Sequence, residues 1–422
     1  MRSKDSKFPG TINQPLDCLQ DSGSREAPND IIPTVKLNNS IDHQLLFIAV
    51  CLTAFGLVMV YSNGNLSRFY WQVFACLLGG AGMWLVSLIP FQIYQKYAYH
   101  LLIGTIIALI LVFTPLGYRV GSAERQFYRW IQISGVHFQP AELAKLGLVI
   151  YTARFLVAKR QHIHSLRRGV FPSILVLAIV FTLLYIQPDF GSAVLISAVV
   201  LGLLFIGGAR LTQILLVTGS AGVLIYGWVQ DDTYKMQRIT DYLRSLKSPF
   251  DTHYQVEQSL NAIATGGLFG TGIGNSVHKL GRLPHADTDF VFAVVAEELG
   301  LFGAMGLIFL YILLVWRGIQ IVLQVSSSQG EHNESAPVQS TNVAGETKFA
   351  SLVAFGITAQ IGLQAFINIG VALGALPTKG ITLPFISYGG SSILMSLISI
   401  GILLNISRFR QTGLFDRTGY TH

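Results

Sequence analysis

Charged residues are scarce in this 422-residue chain, where Asp, Glu, Lys and Arg together make up only 12%. Soluble domains carry roughly 25% charged residues, so too few remain here to cover a surface that faces water. This shortage excludes an ordinary soluble globular protein. Hydrophobic residues account for 51% of the chain, and the mean hydropathy is +0.52. We therefore predict a protein that faces lipid.

Cysteine is also rare. Cys18, Cys51 and Cys76 show no metal-ligand or redox spacing and imply no disulfide framework. The opening residues MRSKDSKFPG lack an apolar core that ends at a small-residue cleavage site, so we expect no cleaved signal peptide. In a membrane protein the net charge of +7 indicates basic cytoplasmic loops, which fix orientation, rather than nucleic-acid binding.

Long apolar runs are abundant. A helix needs about 20 residues to cross a hydrocarbon core of roughly 30 Å. Pro188 separates two adjacent runs, because an interior proline breaks a helix. The sequence predicts an all-α integral membrane protein with about ten transmembrane helices. The predicted spans are 43–62, 69–89, 97–115, 140–158, 170–187, 189–208, 211–229, 289–316, 348–376 and 386–407.

Basic residues predict the orientation. The short 159–169 connection holds four positive charges and the C-terminal end holds three, which places both on the cytoplasmic side. A large extracytoplasmic loop then lies between spans seven and eight. The predicted regions are a flexible cytoplasmic tail (1–42), a polytopic domain (43–410) with the outer loop (230–288) and a disordered cytoplasmic connector (325–347), and a C-terminal cytoplasmic tail (411–422).

The outer loop contains a glycine-rich run and two aspartates. GGLFGTGIGNS lacks the Gly-Lys-Ser/Thr of a phosphate-binding loop, which leaves a tight turn or a backbone that approaches a ligand closely. In LPHADTDF, Asp287 is predicted mainly to cap the following helix. Asp289 lies at the outer mouth of span eight, where desolvation would raise its pKa toward the range of a general base.

Other polar residues fall within apolar surroundings. Glu142 and Lys145 are three apart on one helix face and are expected to pair. Asp189 follows the proline break, where freed backbone groups need partners. Carboxylates inside a span are costly, so Glu297 and Glu298 are expected to pair with Arg or Lys of a neighbouring helix.

The 375–392 segment, ALPTKGITLPFISYGGSS, is predicted to be a re-entrant connection at the outer face. Its lysine, Lys379, is either a snorkelling side chain whose stem lies along apolar surface or a ligand of a diphosphate.

Several long motifs occur in a fixed order: FQPAELAK, QPDFGS, LPHADTDFVFAVVAEELGLFG and GALPTKGITLPFISYGGSS. In order and spacing they resemble the SEDS family of shape, elongation, division and sporulation proteins. The likeness covers roughly residues 43–410. The PTKG segment is similar to the division branch of the family (FtsW-like).

The resemblance implies ten transmembrane helices and polymerisation of peptidoglycan glycan strands from lipid II. It places the protein in the bacterial cytoplasmic membrane, at the division septum. It also carries the essential aspartate of the family's LPEAHTDF onto Asp289. His285 and Asp287 stand where the family has glutamate and histidine, and RQFY (125–128) lengthens the join before RWI.

The sequence thus supports an inverting glycosyltransferase in which Asp289 is the base. The candidate substrate-binding residues are Lys379, Arg238, Lys279, His285, Asp287, Gln258 and Ser387. The candidate supporting residues are Glu142, Lys145, Asp189, Glu297 and Glu298. No cofactor is expected and no ligand cluster demands a metal, although a divalent cation is compatible with a diphosphate leaving group.

The implied partners are lipid II, the growing glycan strand, membrane lipids, a class B penicillin-binding transpeptidase and other division membrane proteins, with no nucleic acid. Two rival functions stay open at this point: a flippase or transporter of the lipid-linked precursor, and a scaffold without activity. Polar residues near the midplane would favour transport, whereas a carboxylate and cations at the outer face favour catalysis.

Overall fold

The computed structural model describes residues 41–122, 125–133, 135–230, 254–279, 281–327, 340–378 and 380–409. Helices dominate these residues. They are α1 (His43–Ser62), α2 (Leu66–Leu88), α3 (Phe91–Leu111), α4 (Pro140–Ala158), α5 (Phe171–Ile186), α6 (Phe190–Ile206), α7 (Leu211–Gln230), α8 (Tyr254–Gly266), α9 (Val291–Ser327), α10 (Ser340–Ala372) and α11 (Gly390–Phe409). The strands are β1 (Gly117–Ser122), β2 (Arg125–Ile133) and β3 (Val136–Phe138).

Each of the ten predicted spans corresponds to one helix, and the predicted break at Pro188 separates α5 from α6. Seven described helices are long and apolar enough to cross a membrane. The helix α4 is not among them and carries Glu142, Lys145 and Arg154, while α6 has only 17 residues. The multi-pass helical membrane fold is therefore confirmed, while the count of ten crossings stays a prediction.

Helix α2 packs closely along α11 through glycines. A Cβ on Gly79 would lie 2.7 Å from Cδ1 of Leu397, and one on Gly401 would lie 2.5 Å from the carbonyl oxygen of Met83. Small residues at such a crossing allow two membrane helices to approach each other. This pair forms one wall of the site described below.

A three-stranded antiparallel sheet connects α3 to α4, which the sequence analysis did not predict. Strand β2 pairs with β1 on one side and with β3 on the other. The segment RQFYRWIQI is rich in aromatic and β-branched residues, which favour strands. The sheet brings Arg129 of β2 to the end of the bundle where α4 and α6 begin.

The eighth predicted span is longer than expected and is interrupted. Helix α9 runs on to Ser327, and Gly300 within it has φ 68° and ψ −166°. Such a break frees backbone groups that need partners in a membrane. The amides of Thr271 and Gly272 donate to the carbonyls of Glu297 and Glu298, at 2.9 and 3.0 Å, and the amide of Leu301 donates to the Gly267 carbonyl.

Glycines of the glycine-rich run therefore lie against the backbone of α9. A Cβ on Gly266 would lie 2.0 Å from the carbonyl oxygen of Ala296, and one on Gly270 would lie 2.2 Å from that of Glu298. Of the two alternatives for this run, the structure favours the tight turn, whose backbone supplies hydrogen-bond partners at the break in α9.

The predicted connector 325–347 is shorter in the structure. Residues up to Ser327 continue α9, and α10 already begins at Ser340. The prediction of disorder is wrong for these helical ends, and the remainder of the connector lies outside the described residues.

Candidate functional site

Asp289 lies in a tight turn immediately before α9 and is half-buried. The carbonyl of His285 accepts hydrogen bonds from the amides of Thr288 and Asp289, at 3.2 and 3.0 Å. His285 has φ +58°, in the left-handed region that few side chains adopt. The turn therefore fixes the direction in which the Asp289 side chain leaves the backbone.

Gly380 and Arg129 lie beside the Asp289 carboxylate. A Cβ on Gly380 would lie 3.2 Å from Oδ2 of Asp289 and 3.7 Å from Nη1 of Arg129. A side chain at Gly380 would crowd the carboxylate, so glycine permits this close approach. Arg129 is held by the end of α5, because its guanidinium donates to the carbonyls of Gln187 and Pro188.

A chain of buried polar side chains supports this arrangement. Asn368 donates to the carbonyls of Asp289 and Ile381, at 2.9 and 2.7 Å. One turn away on α10, Gln364 donates to the carbonyl of Thr382 and accepts from Lys145 at 2.9 Å. The network fixes the Asp289 turn relative to the 380–389 segment.

Glu142 completes the network. Its Oε2 lies 2.8 Å from Nζ of Lys145, and both side chains are buried, so the pair predicted from their spacing is confirmed. Asp189 caps α6 by accepting from the amide of Ser192 at 3.2 Å, and its second oxygen accepts from Gln139 at 3.3 Å. Both predicted supporting roles are consistent with these contacts.

Burial raises the pKa of Asp289 above its ordinary value. The charge of His285, the hydrogen bond from Thr288 and the charge of Arg129 oppose this shift, while the negative charge of Asp189 adds to it. A carboxyl group with a raised pKa is a stronger base than an exposed aspartate, which suits it to accept a proton from a hydroxyl group.

Asp287 does not cap α9, so that prediction is wrong. The helix begins at Val291, and Oδ2 of Asp287 binds Nη1 of Arg68 in an ion pair. The Arg68 guanidinium also lies 5.5 Å from the ring centroid of Tyr388, whose amide donates to the Asp287 carbonyl at 2.9 Å. Ser387, a predicted substrate-binding residue, donates to the Thr288 carbonyl and accepts from the Leu383 amide.

Lys279 was predicted to bind a diphosphate, and the structure gives its amino group other partners. Its Nζ lies 2.6 Å from Glu298 Oε1, 2.6 Å from the Ser62 carbonyl and 2.9 Å from Ser62 Oγ. With its three N–H groups used and its side chain buried, Lys279 is not available to substrate. The expected partner of Glu298 therefore comes from a loop and not from a neighbouring helix.

Glu297 is held in the same way by residues 276–278. Ser276, the Val277 amide and His278 all donate to its carboxylate, the amide at 3.0 Å and Nδ1 of His278 at 2.9 Å. No Arg or Lys from another helix pairs with it in the described part of the chain. Both glutamates therefore anchor the outer loop to α9.

Three predicted residues receive no support from described contacts. Arg238 and Lys379 lie outside the described residues. Gln258 lies half-buried on α8, and no hydrogen bond within the described ranges joins it to the Asp289 turn. His285 is exposed, next to Asp289.

Across the described part of the chain, no group of three or more His, Cys, Asp or Glu side chains gathers as metal ligands.

Arg68 and Arg129 belong to the site, although the sequence did not predict either of them there. Arg129 was visible in the RWI motif but carried no assigned role, and its proximity to Asp289 depends on the unpredicted sheet. Arg68 gave no signal, because it looks like any interfacial arginine at a helix start.

The sequence is similar to that of known proteins over most of its length. Residues 42–412 match the family model FtsW/RodA/SpoVE, described as cell cycle proteins. A probable peptidoglycan glycosyltransferase FtsW of Geobacter sp. (strain M18) is 37% identical over 379 residues, covering 87% of this chain and 96% of that protein. The FtsW protein of Bacillus subtilis (strain 168), named in the same way, is 36% identical over 397 residues, covering 89% and 92%.

Solved structures are also similar. A chain of a peptidoglycan synthase complex described as coordinating polymerization and crosslinking superposes with a TM-score of 0.69 at 26% identity, covering 89% of this chain and 99% of that one. The Rod shape determining protein RodA of Thermus thermophilus gives a TM-score of 0.61 at 27% identity, covering 88% and 98%.

Proposed function

The chain belongs to the FtsW/RodA/SpoVE family of cell cycle proteins, and from that premise we propose that it is a peptidoglycan glycosyltransferase that polymerises lipid II. The observation that carries this proposal is the half-buried Asp289 carboxylate, which lies beside the guanidinium of Arg129 and close to the backbone of Gly380.

Glycan polymerisation joins a hydroxyl group of one sugar to the anomeric carbon of another. The new C–O bond forms as the bond to the lipid diphosphate breaks, and the hydroxyl proton goes to a base. Asp289 is that base in our proposal, because its raised pKa matches this task. Attack from the side opposite the leaving group inverts the anomeric centre.

The leaving diphosphate needs positive charge. Arg129 supplies it next to Asp289. Helices α4, α6, α9 and α11 all begin around the site, and helix N-termini favour anions. Lys379 and Arg238 stay predicted contacts of the diphosphate or sugar, and we expect Lys379→Ala to weaken substrate use more than folding. No step requires a cofactor.

Orientation follows from the basic 159–169 loop. Chain ends in the cytoplasm put the Asp289 end of the bundle at the outer face, where a lipid-linked sugar is displayed. We further propose that the protein acts at the division septum, with a class B penicillin-binding transpeptidase as partner. The likeness to a chain of a peptidoglycan synthase complex supports such a partnership.

The polar network supports catalysis over transport. Glu142 and Lys145 lie in the first turns of α4 and connect through Gln364 to Thr382, in the segment that packs under the Asp289 turn. The buried charges therefore belong to the same end of the bundle as the carboxylate. A transporter would instead place its polar residues near the midplane.

The test is polymerisation by the purified full-length chain in lipid nanodiscs, with fluorescent lipid II and separation of glycan products by gel electrophoresis. We expect glycan strands from the wild type, none from Asp289→Asn, and wild-type product from the control Arg282→Gln, an exposed arginine of the same loop. Near-normal turnover by Asp289→Asn would show that Asp289 is not the base. A wild type that makes no glycan, alone or with a transpeptidase, would refute the function.

A further inference from the structure

Arg68 connects three segments that are far apart in the sequence. It lies in the first turn of α2, its Nη1 binds Oδ2 of Asp287, and its guanidinium lies over the ring of Tyr388. The amide of Tyr388 in turn donates to the carbonyl of Asp287. Asp287 is thus held through its side chain by α2 and through its backbone by the segment that precedes α11.

Hydrogen bonds and helix packing hold the wall that carries Arg68. Asn65 caps α2 by accepting from the amide of Arg68 at 3.1 Å. One turn further, Gln72 is fully buried, accepts from the amide of Gly389 at 3.2 Å and donates to the carbonyl of Ser387. These bonds, together with the packing of α2 on α11, attach the backbone of Arg68 to the α2–α11 wall.

Asp287 is two residues from Asp289 within one tight turn closed on His285. A shift of Asp287 therefore moves Asp289. Displacement of a catalytic group by about 1 Å costs about 100-fold in rate. The backbone contacts of Asn368 hold the far side of the turn, and the described contact that holds the Asp287 side chain is the ion pair with Arg68.

We propose that Arg68 is a positioning residue for glycosyl transfer, which through its ion pair with Asp287 and its cation–π contact with Tyr388 holds the Asp289 turn against the α2–α11 wall. This inference rests on the proposed function. Because the ion pair joins an arginine at position 68 to an aspartate at position 287, the two charges can be exchanged by mutating both positions.

We expect this pair to contribute little to the stability of the protein. The Arg68 side chain is 52% exposed, and exposed ion pairs contribute little to folding because water screens them. Loss of the pair is therefore expected to appear in the rate and not in the amount of folded protein. That separation distinguishes positioning from a merely structural role.

The experiment measures kcat and KM for lipid II with the full-length chain in nanodiscs. We expect Arg68→Gln to lower kcat by about tenfold or more and to change KM less than about twofold, since the turn and not the binding surface is altered. Arg68→Lys keeps the charge but not the planar guanidinium, so it should recover part of the rate. The control Arg282→Gln, at an exposed arginine in the loop before α9, should behave as wild type.

Exchange of the two charges between positions 68 and 287 provides the decisive test. Arg68→Glu alone should be as slow as Arg68→Gln or slower, and the double variant Arg68→Glu/Asp287→Arg should return to within about threefold of wild type. Hydrogen exchange supplies a readout besides activity: amides of residues 287–290 should exchange faster in Arg68→Gln and at the wild-type rate in the double variant.

The proposal would be overturned if the rate losses of the two single variants simply multiplied in the double variant. It would also be overturned if Arg68→Gln changed only KM, or if the 287–290 amides of Arg68→Gln exchanged at the wild-type rate. A large fall in unfolding temperature in Arg68→Gln would also overturn it, because Arg68 would then be a residue of stability. The wild-type reaction in the same assay reports separately on the proposed function.

Discussion

Gly270 and Gly300 are in direct backbone contact: a Cβ on Gly300 would lie 2.4 Å from the amide nitrogen of Gly270, and one on Gly270 would lie 2.6 Å from the amide nitrogen of Gly300. The two residues belong to the glycine-rich run and to the break in α9. Their contact lets the outer loop take up the hydrogen-bonding groups that the broken helix leaves free.

The first prediction concerns this contact. Gly300→Ala should destabilise the protein by about 2 kcal/mol or more, because Gly300 has φ +68° and the added methyl group would overlap backbone. Gly306→Ala, in the same helix with no atom within 4 Å of the new Cβ, should be neutral or should stabilise by about 0.5–1 kcal/mol. Thermal unfolding of both purified variants measures the difference, and equal unfolding temperatures would contradict the contact.

The second prediction concerns Lys279. Its removal leaves the fully buried Glu298 without its partner, and breaking a buried pair costs about 3–5 kcal/mol. Lys279→Met should therefore lower the unfolding temperature and the yield of folded protein, and the double variant Lys279→Met/Glu298→Gln should recover much of both. If Lys279→Met instead folds normally but uses lipid II poorly, Lys279 would be assigned to the diphosphate, as the sequence predicted.

The third prediction is the pH dependence of the reaction. Transfer requires the ionised carboxylate of Asp289, and burial raises the pKa of this group above the ordinary value of about 3.9. The rate should therefore fall as the pH falls through a midpoint above that value. The charge of His285 lowers the pKa of Asp289, so its removal should move the midpoint to higher pH.

His285→Asn is the suitable variant, because asparagine tolerates the positive φ of this position better than most residues. Rates of wild type and variant are compared between acidic and neutral pH, with Arg282→Gln as the control that should keep the wild-type midpoint. A midpoint that moves to lower pH in His285→Asn would have the wrong sign for a carboxylate base.

The fourth prediction concerns orientation. Single cysteines at Asn261 and Ser165, both exposed, would be placed in a background without Cys18, Cys51 and Cys76. A membrane-impermeant thiol reagent, applied to intact cells with a permeabilised outer envelope, should label position 261 and spare position 165. The reverse labelling pattern would place Asp289 on the cytoplasmic side, away from the displayed substrate.

The sequence alone determined the helices that span the membrane, the break at Pro188, the pair of Glu142 and Lys145, and the motif that contains Asp289. These features are local: an apolar run long enough to cross lipid, a proline within a helix, and two charges one turn apart are all visible within a few residues. The same locality explains why a lone arginine such as Arg68 gave no signal.

Only the tertiary structure decided which distant groups meet. It paired Lys279 with Glu298, Asp287 with Arg68, and brought Arg129 to Asp289 through a sheet that hydropathy does not reveal. In an apolar interior each charge must find a partner because desolvation is costly. Which partner it finds depends on the packing of helices that are far apart in the chain, and no spacing in the sequence records that packing.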